Sequence, residues 1–357
     1  MNKQALKTYG WQDNWEAAVQ ETGYPARVIR QDHDLYRVAG AEGELNARIT
    51  GKMMYEAASE ADYPAVGDWV VIDRETDEGG DAAISQILPR RSAFIRKAAG
   101  SSQAVQVVAA NVDTVFLCMA LNQDYNLRRL ERYLTIAWDS GAQPAVVLTK
   151  ADLCTDLPQK LLEVDLASAG CPVVVCSALS QEGLEKVRQL VVPGKTVAFM
   201  GSSGVGKSTL INYLLGEERL VTAAIGQNDK GRHTTTHRQL YVLPDGGMVI
   251  DTPGMRELQL ESGDLSRAFD DIEALAEGCR FRDCTHSGEP GCAVQAAVDE
   301  GLLAQSRLDN YHKLQRELGY EGLNSRQMEA EKIKSMFGSK QDMKQAMRAV
   351  KQKNHRR

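Results

Sequence analysis

The sequence predicts an α/β domain over residues 99–265, flanked by a small β-barrel at residues 23–98 and a helical domain at residues 266–325. Three observations predict this fold class. Short β-type segments fill the N-terminal part, strand and helix patterns alternate through the middle, and cysteines cluster with a histidine near the C-terminal end. Alternating strands and helices predict a parallel sheet with helices on both faces. Residues 1–22 are a lead-in without an assigned role, and residues 326–357 form a basic tail.

Composition is that of an ordinary soluble globular protein, since 43% of the 357 residues are apolar and 25% are charged. The N-terminus has no apolar run of signal-peptide length. The stretch 105–121 is apolar but is interrupted by Asn111 and Asp113. We therefore expect a cytoplasmic protein that does not associate with membranes, in which the cysteines are metal ligands or small core residues rather than disulfides.

The N-terminal domain consists of short β-type runs separated by polar or glycine-containing turns. The runs are Pro25–Arg30, Leu35–Ala39, Leu45–Ile49, Asp68–Asp73 and Ala82–Leu88. Strands of this number and length fit the five-stranded oligonucleotide-binding (OB) barrel. RNA binding through the barrel face and a generic packing role remain equally open, because the fold does not fix the function.

Residues 89–97 are predicted to be a basic connector, after which strands and helices alternate. The predicted strands are Thr114–Ala120, Pro144–Thr149, Pro172–Cys176, Thr196–Met200, Arg238–Leu243 and Met248–Ile250. The predicted helices are Leu127–Ser140, Leu157–Ala169, Gly183–Leu190 and Ser208–Leu215. Nucleotide sites in such sheets lie at the carboxyl ends of the strands.

A phosphate-binding loop of the form G-x-x-x-x-G-K-S occupies residues 201–208, between a predicted strand and a predicted helix. Its backbone N–H groups would surround the phosphates. Lys207 would contact the β- and γ-phosphate oxygens during binding and catalysis, and Ser208 would hold Mg²⁺. The predicted nucleotide-binding residues of this segment are Gly201, Ser202, Ser203, Gly204, Val205, Gly206, Lys207, Ser208 and Thr209.

Two further segments follow strands and indicate which base is bound. Thr149, Lys150 and Asp152 follow one strand, and Ser177 and Ala178 follow the next. A carboxylate at Asp152 can accept hydrogen bonds from N1–H and the 2-amino group of guanine, a donor pair that adenine lacks. The stem of Lys150 can cover the ring, and the Ser177–Ala178 backbone can donate to O6. We therefore expect a guanine nucleotide.

Candidate switch segments come after the phosphate-binding loop. The segment 231–237 contains Thr235, a candidate ligand of Mg²⁺ that would sense the γ-phosphate. In Asp251-Thr-Pro-Gly254, Asp251 would hold Mg²⁺ through water and the N–H of Gly254 would bond the γ-phosphate.

Near the C-terminal end, three cysteines and one histidine lie within fourteen residues: Cys279, Cys284, His286 and Cys292. Together they supply the four ligands of a tetrahedral Zn²⁺ with no open position, which indicates a structural site. The alternative is a set of unrelated buried cysteines. The remaining cysteines, Cys118, Cys154, Cys171 and Cys176, lie in or beside apolar segments and are predicted to be packing residues.

The motifs resemble the G1 to G5 motifs of GTPases, but in a rotated order. G4 (149–152) and G5 (177–178) precede G1 (201–208), G2 (231–237) and G3 (251–254). Because a circular permutation moves only the chain ends, the same sheet can still form. With the barrel and the Cys/His cluster, the chain closely resembles the circularly permuted, ribosome small-subunit-dependent GTPases of the RsgA or YjeQ type.

The resemblance implies a monomeric GTPase that uses GTP, Mg²⁺ and one structural Zn²⁺. It would bind the 30S subunit late in maturation, hydrolyse GTP to GDP and phosphate with stimulation by that subunit, and dissociate. Contacts with 16S rRNA would come from the barrel, the zinc domain and the basic tail, mostly through phosphates and shape. The tail carries ten lysines and arginines against three acids, a net charge of +7, although a solvated amphipathic helix would look similar.

The chain departs from the usual GTPase pattern at two positions. Thr149 replaces the usual asparagine of G4, so a contact to guanine N7 would be lost while selection by Asp152 remains. Met255 stands where many GTPases place a water-orienting glutamine, so intrinsic turnover should be slow. The family pattern indicates His233 as the residue that positions water.

Two other functions are compatible with parts of the sequence. One is a GTP-sensing RNA-binding module whose hydrolysis is incidental, and strong stimulation of turnover by the 30S subunit would argue against it. The other is an ATP-dependent kinase or ATPase built on the phosphate-binding loop. Changing Asp152 to asparagine separates that case, because guanine selectivity weakens only if Asp152 contacts the base.

Overall fold

The fold is taken from a computed structural model that describes most of the chain. The described residues are 3–19, 23–32, 34–76, 78–97, 105–168, 170–220, 238–251, 255, 258 and 265–319.

The N-terminal domain is a closed five-stranded barrel, as the sequence predicted. It is preceded by helix α1 (Lys3–Thr8), and helix α2 (Gly51–Glu56) connects the third strand to the fourth. The strands are β1 (Tyr24–Asp32), β2 (Leu35–Ala39), β3 (Glu44–Ile49), β4 (Trp69–Ile72) and β5 (Ala82–Ile87). Strand β1 pairs with both β2 and β4, and β3 runs parallel to β5, which closes the barrel with the OB strand order.

The lead-in packs against the outside of this barrel. Trp11 and Trp15 are buried, and the ring of Trp11 meets that of Trp69 edge-on at a centroid distance of 4.8 Å. The indole N–H of Trp15 donates to the carbonyl of Pro89 at 3.0 Å. Burying these large rings removes apolar surface from water, so the lead-in contributes to the stability of the barrel.

Residues 93–97 form a strand, where the sequence predicted only a connector. Strand β6 (Ala93–Lys97) pairs antiparallel with β7 (Val105–Ala110) as a separate two-stranded sheet. Phe94 of β6 and Val107 of β7 are buried. The sequence did not predict this strand because its basic residues interrupt the apolar pattern. The strand is stabilised by backbone hydrogen bonds to its partner β7.

The central domain is a sheet covered on both faces by helices. Its strands are β8 (Thr114–Ala120), β9 (Gln143–Thr149), β10 (Val173–Val175), β11 (Thr196–Met200), β12 (Arg238–Val242) and β13 (Met248–Asp251). Its helices are α3 (Leu127–Asp139), α4 (Leu157–Ala167), α5 (Leu184–Gln189) and α6 (Lys207–Leu215). The strand order is β10-β9-β8-β11-β13-β12, and β12 alone among them runs antiparallel to its neighbour.

This order places β11, which leads into the phosphate-binding loop, at the centre between β8 and β13. The carboxyl ends of these parallel strands therefore share one edge of the sheet. The antiparallel pairing of β1 with β12 joins the barrel to the central sheet, so eleven of the thirteen described strands form one sheet, and β6 and β7 form the other.

A buried arginine joins the barrel to the central domain. Arg27 on β1 is 2% exposed, and its guanidinium donates to the carbonyl of Tyr9 at 2.5 Å and to the hydroxyl of Thr196 at 2.9 Å. Burial lowers the pKa of Arg27 to about 10, so it remains protonated at neutral pH. The guanidinium thus ties the lead-in and the barrel to the start of β11.

The C-terminal domain contains helices α7 (Asp270–Ala276), α8 (Ala293–Asp299) and α9 (Gln305–Gly319). Arg307 on helix α9 forms ion pairs with Glu131 of α3 at 2.9 Å and with Asp271 of α7 at 2.6 Å. It therefore joins α9 to both helices. Burial raises the pKa of Glu131, and the charge of Arg307 opposes that rise. Among the described helices, none combines the length and the apolar character needed to span a bilayer.

Candidate nucleotide site and metal centre

The phosphate-binding loop connects β11 to α6 at the carboxyl edge of the sheet. Gly204 and Gly206 have φ values of +75° and +103°, a region that residues with a side chain rarely adopt. At Gly201, an added Cβ would come within 2.5 Å of the carbonyl oxygen of Cys118 on β8. The loop backbone therefore needs glycine at these positions, as the sequence motif predicts.

The side chain of Lys207 lies across the loop. Its ammonium donates to the carbonyl oxygens of Gly201 at 2.8 Å and of Ser202 at 2.7 Å. A lysine held in this place can exchange carbonyl oxygens for phosphate oxygens with little movement. The loop and its lysine therefore fit a polyphosphate.

Thr149, at the end of β9, is buried and holds the phosphate-binding loop. Its hydroxyl donates to the carbonyl oxygen of Val205 at 2.6 Å. The sequence indicated only what threonine would lose relative to asparagine at this position. The contact shows that Thr149 instead fastens the end of β9 to the loop that follows β11.

The two segments predicted to select the base lie against each other. The carboxylate of Asp152 accepts a hydrogen bond from the hydroxyl of Ser177, whose oxygen in turn accepts from the backbone N–H of Leu179 and of Ser180, each at 3.2 Å. Asp152 and Ala178 are exposed on this edge. The Ser177 hydroxyl therefore orients a carboxylate that remains open to a ligand.

Asp251, at the end of β13, lies close enough to Lys207 for their charges to interact. Burial raises the pKa of Asp251, and the charge of Lys207 opposes that rise. Ser208 lies in the first turn of α6, on the same edge of the sheet. The described residues thus bring the predicted Mg²⁺ ligands Ser208 and Asp251 to the end of the sheet where the phosphate-binding loop begins.

Several predicted site residues lie outside the described part of the chain. They are Thr235 and His233 of the segment 231–237, Gly254, and the basic tail 326–357. Met255 is described and is 3% exposed, so its side chain packs in the core rather than facing a ligand.

Sequence reasoning missed Asp124, which contacts the phosphate-binding loop. The hydroxyl of Ser202 donates to the carboxylate of Asp124, whose two oxygens lie 2.8 and 2.7 Å away. The same carboxylate pairs with Arg129 at 2.9 Å. Its position gave a usable signal, because Asp124 follows the end of β8 much as Asp152 follows the end of β9.

The C-terminal cluster brings four ligand atoms together. The atoms of Cys279, Cys284, His286 and Cys292 all lie within 4.8 Å of one another. Nδ1 of His286 is 3.6 Å from Sγ of Cys279 and 3.5 Å from Sγ of Cys292, and these two sulfurs are 3.9 Å apart. A tetrahedral ion with bonds of about 2.3 Å to sulfur and about 2.0 Å to nitrogen spaces its ligands by roughly 3.5 to 3.8 Å. The donor set and its spacing therefore fit a metal ion.

A carboxylate fixes the loop between the candidate metal ligands. Glu289 accepts from the backbone N–H of Thr285 at 2.9 Å and of Ser287 at 2.8 Å. His286 between them has a φ of 57°, an uncommon conformation for a residue with a side chain.

Three of the four cysteines predicted to pack, Cys118, Cys171 and Cys176, are buried, whereas Cys154 is partly buried.

Several known proteins and two family models are similar to this chain. A family model described as RsgA GTPase matches residues 87–261, and one described as ABC transporter matches residues 184–356, a range that shares the phosphate-binding loop with the first. A protein of Lactiplantibacillus plantarum named small ribosomal subunit biogenesis GTPase RsgA 2 is 56% identical over 92% of both chains. A protein of Opitutus terrae named small ribosomal subunit biogenesis GTPase RsgA is 47% identical over 88% of this chain and 90% of its own.

Two solved structures resemble the fold described above. YjeQ from Thermotoga maritima superposes with a TM-score of 0.63 at 28% identity, covering 83% of this chain and 98% of its own. A structure described as YloQ, a circularly permuted GTPase, superposes with a TM-score of 0.60 at 24% identity, covering 85% of this chain and 98% of its own. Each match covers at least 83% of this chain, so neither leaves out the whole barrel (residues 23–98) or the whole central domain (residues 99–265).

Proposed function

The chain belongs to the RsgA GTPase family and is a P-loop GTP hydrolase, and from this premise we propose that it acts in late maturation of the small ribosomal subunit. In this proposal it binds the 30S subunit with GTP, hydrolyses GTP to GDP and phosphate when the subunit stimulates it, and then dissociates. The observation that carries the proposal is the 56% identity over 92% of the chain to a relative named for subunit biogenesis.

For the nucleotide, we propose that the loop of residues 201–208 surrounds the phosphates with its backbone N–H groups and that Thr209 also contacts the nucleotide. Lys207 would leave the carbonyls of Gly201 and Ser202 for phosphate oxygens, and its charge would stabilise the negative charge of the transition state. Ser208 and Asp251 would hold Mg²⁺ with Thr235, and Gly254 would contact the γ-phosphate. When bound, Mg²⁺ would neutralise charge on the β- and γ-phosphates.

For the base, we propose that Asp152 accepts from N1–H and the 2-amino group of guanine. The bond from the Ser177 hydroxyl would keep the carboxylate oriented before the nucleotide arrives. Lys150 would cover one face of the ring, and the N–H of Ala178 would donate to O6. Thr149 would act on the phosphate-binding loop rather than on the base, through its bond to Val205.

We keep His233 as the proposed residue that positions the attacking water. The burial of Met255 supports this proposal, because the side chain that replaces the usual glutamine is directed into the core. Ordering of the segment 231–237 by the ribosome would then bring the imidazole to the γ-phosphate.

We propose that the Cys/His cluster holds one structural Zn²⁺. Three thiolates and an imidazole with tetrahedral spacing suit this ion, and all four positions are filled by protein. The cluster would then hold together the turn that precedes α8. Its role would be to stabilise the C-terminal domain rather than to take part in hydrolysis.

We propose that the protein works as a monomer in the cytoplasm and contacts 16S rRNA. The barrel face, the metal-binding domain and the basic tail would provide the contacts. The tail's net charge of +7 supports phosphate binding, because lysine and arginine release counterions from nucleic acid. No membrane association is expected.

The test is phosphate release from GTP with and without purified 30S subunits, with ATP as a control and Lys207→Ala as a blank. Strong stimulation with GTP alone is expected. Equal slow turnover with and without subunits would contradict the coupling and favour a GTP-sensing RNA-binding module. Turnover of ATP at a comparable rate would instead favour an ATPase.

A further inference from the structure

The turn after β8 places a carboxylate and an arginine beside the phosphate-binding loop. The carboxylate of Asp124 accepts a hydrogen bond from the hydroxyl of Ser202, and the backbone carbonyl of Ser202 accepts one from the ammonium of Lys207. Asp124 therefore contacts the segment that holds the lysine. The nucleotide-binding motifs do not include this residue, and it comes from the turn between β8 and α3.

This turn is held rigidly. The backbone N–H of Asp124 donates to the side chain of Asn122 at 3.0 Å, and the side chain of Asn126 caps α3 by accepting from the N–H of Arg129 at 3.0 Å. The guanidinium of Arg129 then returns to the carboxylate of Asp124 at 2.9 Å and also donates to its backbone carbonyl. Both members of the pair are thus fixed before any ligand binds.

A carboxylate in this place has two opposite effects on a bound triphosphate. Its hydrogen bond to Ser202 fixes the backbone of the loop, which favours binding through pre-organisation. Its negative charge, one hydrogen bond from that loop, repels the phosphates. Arg129 cancels the charge while leaving the hydrogen bond to Ser202 in place.

We propose that Asp124 and Arg129 form a charge-neutral positioning pair that fixes Ser202 and thereby sets the affinity for guanine nucleotides. The inference rests on the proposed nucleotide site. It adds residues from the turn between β8 and α3 to the functional set. Neither residue is a catalytic group, because both act through Ser202 and the loop backbone.

The test compares the affinities of the wild type and three variants for a fluorescent GTP analogue and for the matching GDP analogue. Arg129→Gln leaves the Asp124 charge uncompensated, so the dissociation constant for the GTP analogue should rise about tenfold. The rise for the GDP analogue should be smaller, because GDP carries less negative charge. Adding Asp124→Asn to Arg129→Gln removes that charge and should restore affinity to within about threefold of wild type.

The matched control is Arg128→Gln, which removes the same charge from an adjacent, exposed position on α3. It should leave both affinities unchanged. Equal losses for Arg128→Gln and Arg129→Gln, or a double variant weaker than Arg129→Gln, would overturn the proposal. If thermal unfolding shows that Arg129→Gln is not folded, Arg129→Lys serves instead. This variant keeps the positive charge, so its dissociation constant for the GTP analogue should stay within about threefold of wild type. A tenfold loss of affinity would overturn the proposal.

Steady-state hydrolysis separates positioning from chemistry. Arg129→Gln should raise KM and leave kcat unchanged, because loop geometry affects ground state and transition state alike. A fall in kcat without a change in KM would show that the pair acts in the chemical step, against the proposal. Failure of the wild-type protein to bind guanine nucleotides would sink the proposed function, whereas normal wild-type binding with unaffected variants would sink this inference alone.

Discussion

The candidate metal centre and the proposed nucleotide site are built in opposite ways. The four candidate metal ligands come from one short segment, from Cys279 to Cys292, and their ligand atoms lie within 4.8 Å of one another. The proposed nucleotide site draws on residues at or after the ends of β8, β9, β11 and β13, which extend from Asp124 to Asp251 in the chain. A local site depends on its ligands and its turn, whereas an assembled site depends on the register of the whole sheet.

The largest test of this difference is removal of one metal ligand. Cys284→Ser should abolish stoichiometric metal binding and unfold the C-terminal domain, because the binding energy of a structural metal is also folding energy. Metal content by elemental analysis and limited proteolysis of the region 266–319 would report the loss. Cys154→Ser, outside the cluster, is the control.

The same variant also tests whether the two sites are independent. In Cys284→Ser, the affinity for GTP should fall less than about threefold, since none of the four residues of the Cys/His cluster touches the proposed nucleotide site. A loss of nucleotide binding as large as the loss of metal would mean that the buried contact of Arg307 with Glu131 couples the two sites.

An intermediate effect is expected at the base-selecting end of the assembled site. Asp152→Asn should weaken GTP binding about 100-fold, because an amide cannot accept both guanine donors. It should favour xanthosine triphosphate, whose 2-carbonyl can accept from the new amide. Competition binding with GTP and xanthosine triphosphate measures the change.

The control for that change is Asp156→Asn, an exposed aspartate that precedes α4 and makes no cap hydrogen bond with its side chain. Unchanged guanine preference in Asp152→Asn, together with an unchanged control, would remove Asp152 from the site. Equal losses in both variants would indicate a general electrostatic effect instead.

The smallest expected effect concerns the contact between β9 and the phosphate-binding loop. Thr149→Val keeps the shape of the side chain but loses the buried hydrogen bond to Val205, a change of about 1 to 2 kcal/mol that corresponds to roughly five- to thirtyfold in affinity if it falls on binding. Thr149→Ser keeps the hydroxyl and should remain close to wild type. Isothermal titration with GDP, beside thermal unfolding, shows whether the loss falls on binding or on stability.

Much of the fold could be predicted because its signals are local. Predicted β2, β8 and β11 have the bounds that the structure gives, and the other predicted strands differ by a few residues at their ends. The hairpin of β6 and β7 was missed, because Arg96 and Lys97 reduce the apolar pattern of a strand stabilised by its partner. The lead-in received no role because Trp11 and Trp15 are explained only by Trp69, more than fifty residues away.

By itself the sequence determined where the phosphate-binding loop and the Cys/His cluster lie, and it predicted the base-selecting segments and the rotated order of the motifs. These depend on residue types at fixed spacings, so their chemistry can be inferred before folding. Only the tertiary structure decided that Thr149 bonds to Val205, that Ser177 bonds to Asp152, and that Asp124 contacts Ser202 and pairs with Arg129. Such contacts arise because parallel strands bring segments that are distant in the chain to one edge of the sheet. The spacing of residues along the chain does not show which of these segments will be in contact.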